Sequence, residues 1–228
     1  MQKKLTPSSL VRVLDRLYDS AVSGIPGTGS AAEIAASYLK QEGSLRDRSN
    51  QMIRWQNTKA ASSGFLTGLG GFMTLPVAIP ANLLSVLYIQ VRMIAAIAIM
   101  GGHDVRDDRV RTLVYACLAG NAAKDILQEA GIKLGSMLTA KLTGRITEKT
   151  ITAINQKTGI LLLSKTGGRG IIHIGKAVPL AGGIIGGAID AAFTNIIGKV
   201  ARDLFIPKAG TGDRTPDVKP AQERRPEA

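Results

Sequence analysis

His103 and Asp104, followed closely by Asp107 and Asp108, bring four acid–base or metal-ligating side chains together within a short segment. Two chemistries fit that grouping: coordination of a cation, or acceptance of the orphan N–H groups at a helix start. Capping is the better fit, because the sequence runs straight on into the helical pattern RVRTLVYACLAG, and carboxylates at its start also complement the helix dipole. His173, the other histidine, lies far away in the apolar run IIHI, where a core histidine is expected. No His-Glu-x-x-His spacing occurs. The single cysteine, Cys117, sits among apolar residues, so an intrachain disulfide is impossible and a buried thiol is expected.

The glycines do not form a phosphate loop. Gly198-Lys199 is followed by valine and Gly175-Lys176 by alanine, where a phosphate loop needs Ser or Thr. A Gly-x-Gly-x-x-Gly reading from Gly68 ends on Met73, and no Gly-x-Ser-x-Gly elbow is present. No catalytic residue, metal or cofactor is therefore expected. An enzyme reading, of a hydrolase type, would have to rest on Asp104, His103 or Asp190.

The glycines instead recur at a packing interval. Gly64 and Gly68, Gly182 and Gly186, and Gly183 and Gly187 are each four apart, with Gly70 and Gly71 adjoining. Small residues at that spacing make a smooth helix face against which another helix can lie closely. The run from Ala60 to Val91 carries no charge over about 32 residues, longer than a membrane span requires. Pro76 and Pro80 break it, and its glycines would bare backbone that lipid cannot satisfy. Arg92 and Asp190 each stand alone in an apolar helical pattern, and a charge so placed demands a partner. The expectation is that the two meet where those helices pack.

The formal net charge is +12. Between residues 133 and 176 the cations Lys133, Lys141, Arg145, Lys149, Lys157, Lys165, Arg169 and Lys176 face one acid, Glu148. Lys141, Arg145 and Lys149 recur every four residues, beside an apolar row of Leu138, Leu142 and Ile146. Such a stripe is either a solvated face or a surface for anionic headgroups. Lys141, Arg145, Lys149, Lys157, Lys165 and Arg169 are thus the lipid-contact candidates. Nucleic acid is disfavoured by the low aromatic content of 4%, which leaves little surface for base stacking.

The elements that would hold these residues are helical. Thr6-Pro7 opens a helix with Leu10, Leu14 and Leu17 on one face, and Ser30 with Glu33 forms a capping box for a second, running to about Glu42. A helix from Leu45 to Ser63 carries Trp55 as an anchor to the core or to an interface. The most apolar pattern follows over ANLLSVLYIQVRMIAAIAIMGG, then two helices before Gly131. A basic amphipathic section comes next, and a small-residue-rich helix or helix pair ends near Phe205. Only IIHI suggests a strand. The fold class is all-α, a single compact multi-helix bundle. N-terminal helices occupy 1–44, the main helical domain 45–206, and a Pro-rich tail, disordered by composition, 207–228. The start MQKKLTPSSL lacks the apolar core of a secretory signal.

The Gly-rich run with Gly70 and Gly71, the prolines Pro76 and Pro80, the pair Gln90 and Arg92, Asp104, and the segment from Pro179 to Asp190 together resemble the EcsC family of bacterial proteins. The resemblance spans Leu45 to Phe205. It implies no catalytic residues; the founding member is encoded beside an ABC transporter, and the role implied is membrane-associated or accessory. The expected partners are an anionic membrane surface or lipid, or a transporter or secretion component for which the chain acts as adaptor. The expected location is cytoplasmic, peripheral to the inner face of the cytoplasmic membrane.

Overall fold

A computed structural model describes residues 6–61, 81–132, 143–166 and 181–206, with side chains over 6–58, 83–132, 143–164 and 191–206. The described residues form eight α-helices and one short 3-10 turn, with no strand among them. The all-α expectation holds. The segments IIHI, Gly64–Gly71 and the tail lie outside the described residues.

Local sequence sets most helix starts. In α1 (Pro7–Ser23) the Thr6 hydroxyl accepts the Ser9 N–H at 3.2 Å, while the Thr6 N–H donates to the Ser9 hydroxyl at 2.8 Å. Pro7 in the first turn needs no intrahelical donor. Leu10, Val13, Leu14, Leu17, Tyr18 and Ala21 are buried at helical spacing, and Arg12, Arg16 and Asp19 face solvent. In α2 (Ala31–Leu39) the Ser30–Glu33 box forms as its spacing predicts, with Ser30 N–H to Glu33 Oε2 at 2.7 Å. The helix stops three residues before Glu42, and Gly43 turns the chain into α3 (Leu45–Ala61).

The central element is α4 (Ala81–Met100). From Leu84 to Met100 nearly every side chain is buried, on all faces, because α1, α2, α3 and two later helices, α5 (Asp108–Leu118) and α8 (Ala181–Phe205), pack around it. A helix apolar on every side needs such a surround. Its end is a Schellman turn: the Gly102 N–H donates to Ile99 O and the His103 N–H to Ala98 O. Gly102 takes φ +81°, a conformation that would strain a side chain.

Asp107 caps α5 (Asp108–Leu118) by accepting the Arg109 N–H at 2.8 Å. A 3-10 turn at Gly120–Ala122 leads into α6 (Ala123–Glu129). Thr147 then caps α7 (Glu148–Thr166), which packs on α1 and α5. The final region is one helix, α8 (Ala181–Phe205), rather than a pair. It lies antiparallel to α3, since Arg46 meets Asp203, Asn50 meets Arg202, and Ile53 meets Gly198. At Gly198 a Cβ would fall 2.7 Å from Ile53 Cγ1, so this glycine lets the two helices approach closely.

Candidate functional site

Gln90 and Arg92 are two residues apart on α4, and about 100° per residue points them to opposite sides. Gln90 Nε2 donates to the Thr194 hydroxyl of α8 at 3.0 Å. Arg92, fully buried, donates through Nη1 to the carbonyl oxygens of Thr28 and Gly29 in the turn before α2. Its guanidinium lies 5.2 Å from the centre of the Tyr88 ring, and the Tyr88 phenol is 3.0 Å from the Thr28 hydroxyl. Burial pulls Arg92 down from the usual arginine range, with Tyr88 opposing, yet a guanidinium stays charged. The pair therefore stitches the central helix to α8 on one side and to the α2 turn on the other. Asp190 lies on α8, four residues before Thr194, and its side chain is outside those described. The expected Arg92–Asp190 contact is accordingly not placed. Carbonyl oxygens in a loop hold Arg92, and composition gives no hint of them.

The acid–base candidates serve as local fastenings. Asp107 caps α5, and Asp104 accepts the Arg106 N–H at 2.8 Å from an exposed position. His103 Nε2 is 3.2 Å from Phe205 O, and its ring tilts against the Phe205 ring at 5.3 Å. Burial lowers the His103 pKa, with the Phe205 carbonyl opposing, so the imidazole is neutral at physiological pH. Cys117 is fully buried and its thiol is pushed up, which makes it unreactive. A further polar set joins α1 to α5. Tyr115 donates to Asp15 Oδ1 at 2.7 Å, Tyr18 donates to Val105 O at 2.7 Å, and Arg111 pairs with Asp19 while lying over the Tyr18 ring. Burial pushes both phenols well above the usual tyrosine range.

The basic candidates divide. Arg145 and Lys149 are exposed, but they do not share one helix: the chain turns at Gly144 and Arg145, and α7 begins only at Glu148. Gly144 thus interrupts the stripe that the four-residue repeat suggests. Lys157 is exposed and ion-paired with Glu129. Lys141 and Arg169 lie outside the described residues, as does the Lys165 side chain. Gly182, Gly183, Gly186 and Gly187 fall in the first turns of α8, whose side-chain surroundings are likewise outside them.

A cationic concavity that the sequence does not announce lies between α3 and α8. Asn50, Ile53, Arg54, Asn195, Lys199 and Arg202 line a cleft of about 350 Å3. Arg202 donates through Nη1 to Asn50 Oδ1 at 2.6 Å, and through Nε and Nη2 to Asp203 Oδ1 at 3.0 and 2.9 Å. Arg46 donates to the same Asp203 oxygen. Burial alone would raise the Asp203 carboxyl, but these two guanidiniums outweigh it and hold it below the usual carboxylate range. The signal that locates this cleft is the antiparallel pairing of α3 with α8, which joins residues some 150 positions apart in the chain.

The Gln-x-Arg pair on α4, the Asp104 turn and the long final helix stand where the EcsC resemblance puts those segments. No curated protein and no solved structure matches the chain. The EcsC protein family matches residues 4–206, which takes in α1 and α2 as well as the part recognised from the motifs. The chain belongs to the EcsC protein family.

Proposed function

We propose that this chain is a non-catalytic accessory protein that associates with the anionic inner face of the cytoplasmic membrane. The observation that carries the reading is Trp55. The only tryptophan in the chain is 54% exposed on α3, next to exposed Arg54, where the helix leads towards the uncharged run after Lys59. A tryptophan beside cations at the edge of apolar sequence suits the headgroup layer, where an amphipathic ring has one wet side and one apolar side. The net charge of +12 supports the same reading, each cation at an anionic surface contributing roughly 1 kcal/mol.

Peripheral association fits better than insertion. One described helix, over Leu83–Met100, is long and apolar enough to cross a membrane, but 89% of that window is buried in the bundle. Putting it into lipid would strip it of five packed neighbours.

Co-sedimentation with vesicles tests the proposal, and Trp55 emission reports on it without a label. Binding to anionic but not neutral vesicles is expected, with a blue shift of Trp55, and weakening when Lys141, Arg145 and Lys149 are changed to Ala. Equal recovery in the supernatant with both vesicle types would refute it.

A further inference from the structure

Four cations meet at the α3–α8 seam: Arg46, Arg54, Lys199 and Arg202. Asp203 is the carboxylate among them, and it is already shared between Arg46 and Arg202. The other acid described on these two helices, Asp47, turns back to the Ser44 hydroxyl at 2.6 Å. Neither Arg54 nor Lys199 pairs with an acid among the described residues. Like charges gathered around a concavity repel unless an anion sits among them.

The hydrogen bonds inside the cleft turn donors outward. Asn50 gives its Oδ1 to Arg202, so the other end of that amide, an NH2, is the end left for a ligand. Arg202 has three of its N–H groups engaged and keeps others. Asn195 adds a second amide to the wall, and Arg54 and Lys199 stand exposed along it. The floor is firm, because Ile53 is buried against Gly198. A guanidinium fork, an ammonium and amide N–H groups around one space suit a group with several acceptor oxygens and more than one negative charge. At about 350 Å3 the cleft exceeds the ~30 Å3 share of one water by an order of magnitude, enough for a phosphate and part of what it is attached to.

We propose that the α3–α8 cleft is a phosphate-binding site for a phosphomonoester, presented free in solution or as a lipid headgroup. In the second form it deepens the membrane reading and rests on it; in the first it does not.

The test uses the full chain. Inorganic phosphate is titrated calorimetrically at constant ionic strength set with chloride. The chain is sedimented separately with phosphatidylcholine vesicles doped with phosphatidic acid. The same is done with Arg54→Ala/Lys199→Ala, and with Arg12→Ala/Arg16→Ala, two exposed arginines of α1, as a control of equal charge change elsewhere. The expected result is saturable phosphate binding, weakened about tenfold or more in the cleft variant and unchanged in the control. Absence of saturable binding, or equal weakening in both variants, overturns the site.

With the site upheld, vesicle retention that free phosphate competes away and the cleft variant loses identifies the headgroup as the source. Retention indifferent to both identifies a soluble phosphomonoester. Vesicle binding that persists while phosphate fails to bind overturns the cleft and leaves the membrane reading standing. Loss of vesicle binding with phosphate binding intact does the reverse.

Discussion

Two arginine-bearing regions of this molecule handle positive charge in opposite ways. Inside, Arg92 is buried at the centre of α4 and held by Thr28 and Gly29 carbonyls and the face of Tyr88. Outside, Arg46 and Arg202 share Asp203, while Arg54 and Lys199 stand exposed along a cleft. The inner charge meets fixed dipoles of its own chain, and its job is to lock one packing arrangement. The outer group has more cations than the local carboxylate can match. Charge left over at a surface is available to a partner, and charge absorbed by the interior is not.

The contrast is sharpest under substitution. Arg92→Met should destabilise the fold most, by about 3 kcal/mol or more, because two part-buried carbonyls lose a charged donor that comes from the core. Urea unfolding measures this, and Arg92→Lys should recover only part, keeping the charge without the fork. A loss below about 1 kcal/mol would mean the inner set is not a lock.

Gly101→Ala ranks second. A Cβ there would collide with the carbonyl oxygen of Phe205, where the end of α4 meets the end of α8. Overpacking of that kind costs about 1–3 kcal/mol. Thermal unfolding at an unchanged midpoint would show that the two helix ends can slide apart.

High pH separates inner from outer groups by a third route. The buried Tyr18 and Tyr115 phenols are both raised in the folded chain, so the unfolded chain loses those protons first, near pH ~10. Their contribution is complete below that pH and declines as pH climbs towards the higher folded values. Tyr115→Phe should cost about 1 kcal/mol at neutral pH and make the alkaline decline shallower. An identical alkaline slope in the variant would show that Tyr115 takes no part.

Arg54→Ala/Lys199→Ala should have the smallest effect on stability, within about 0.5 kcal/mol, as exposed side chains usually do. A loss above about 1 kcal/mol would place these cations in the scaffold and erase the contrast.

The helices were legible because their signals are local. Thr6-Pro7, Ser30 with Glu33, and an aspartate before Arg109 each act within a turn, and each forms a cap in the structure. What sits opposite what was less legible. A carbonyl oxygen has no letter of its own in a sequence, and the expected pairing of Arg92 with Asp190 lies outside the described side chains. Only the geometry of the Ile25–Ser30 turn brings the Thr28 and Gly29 oxygens to the guanidinium. The cleft escaped for a related reason. Its cations are spread thinly over α3 and α8, while the dense run at 133–176 draws the eye. Trp55 was open between core and interface, and its exposure excludes the core.

The position of α4 at the hub also sets an order of events during synthesis. Its neighbours α5 and α8 are made after it, and α8 ends at Phe205, about a hundred residues beyond Met100. At ~5–20 residues per second the ribosome needs about 5–20 s to cover that stretch. Throughout that interval the nascent chain carries a twenty-residue apolar helix whose surround is unfinished. The helix that the finished bundle hides most completely is one that a growing chain must shelter until its last neighbour is made.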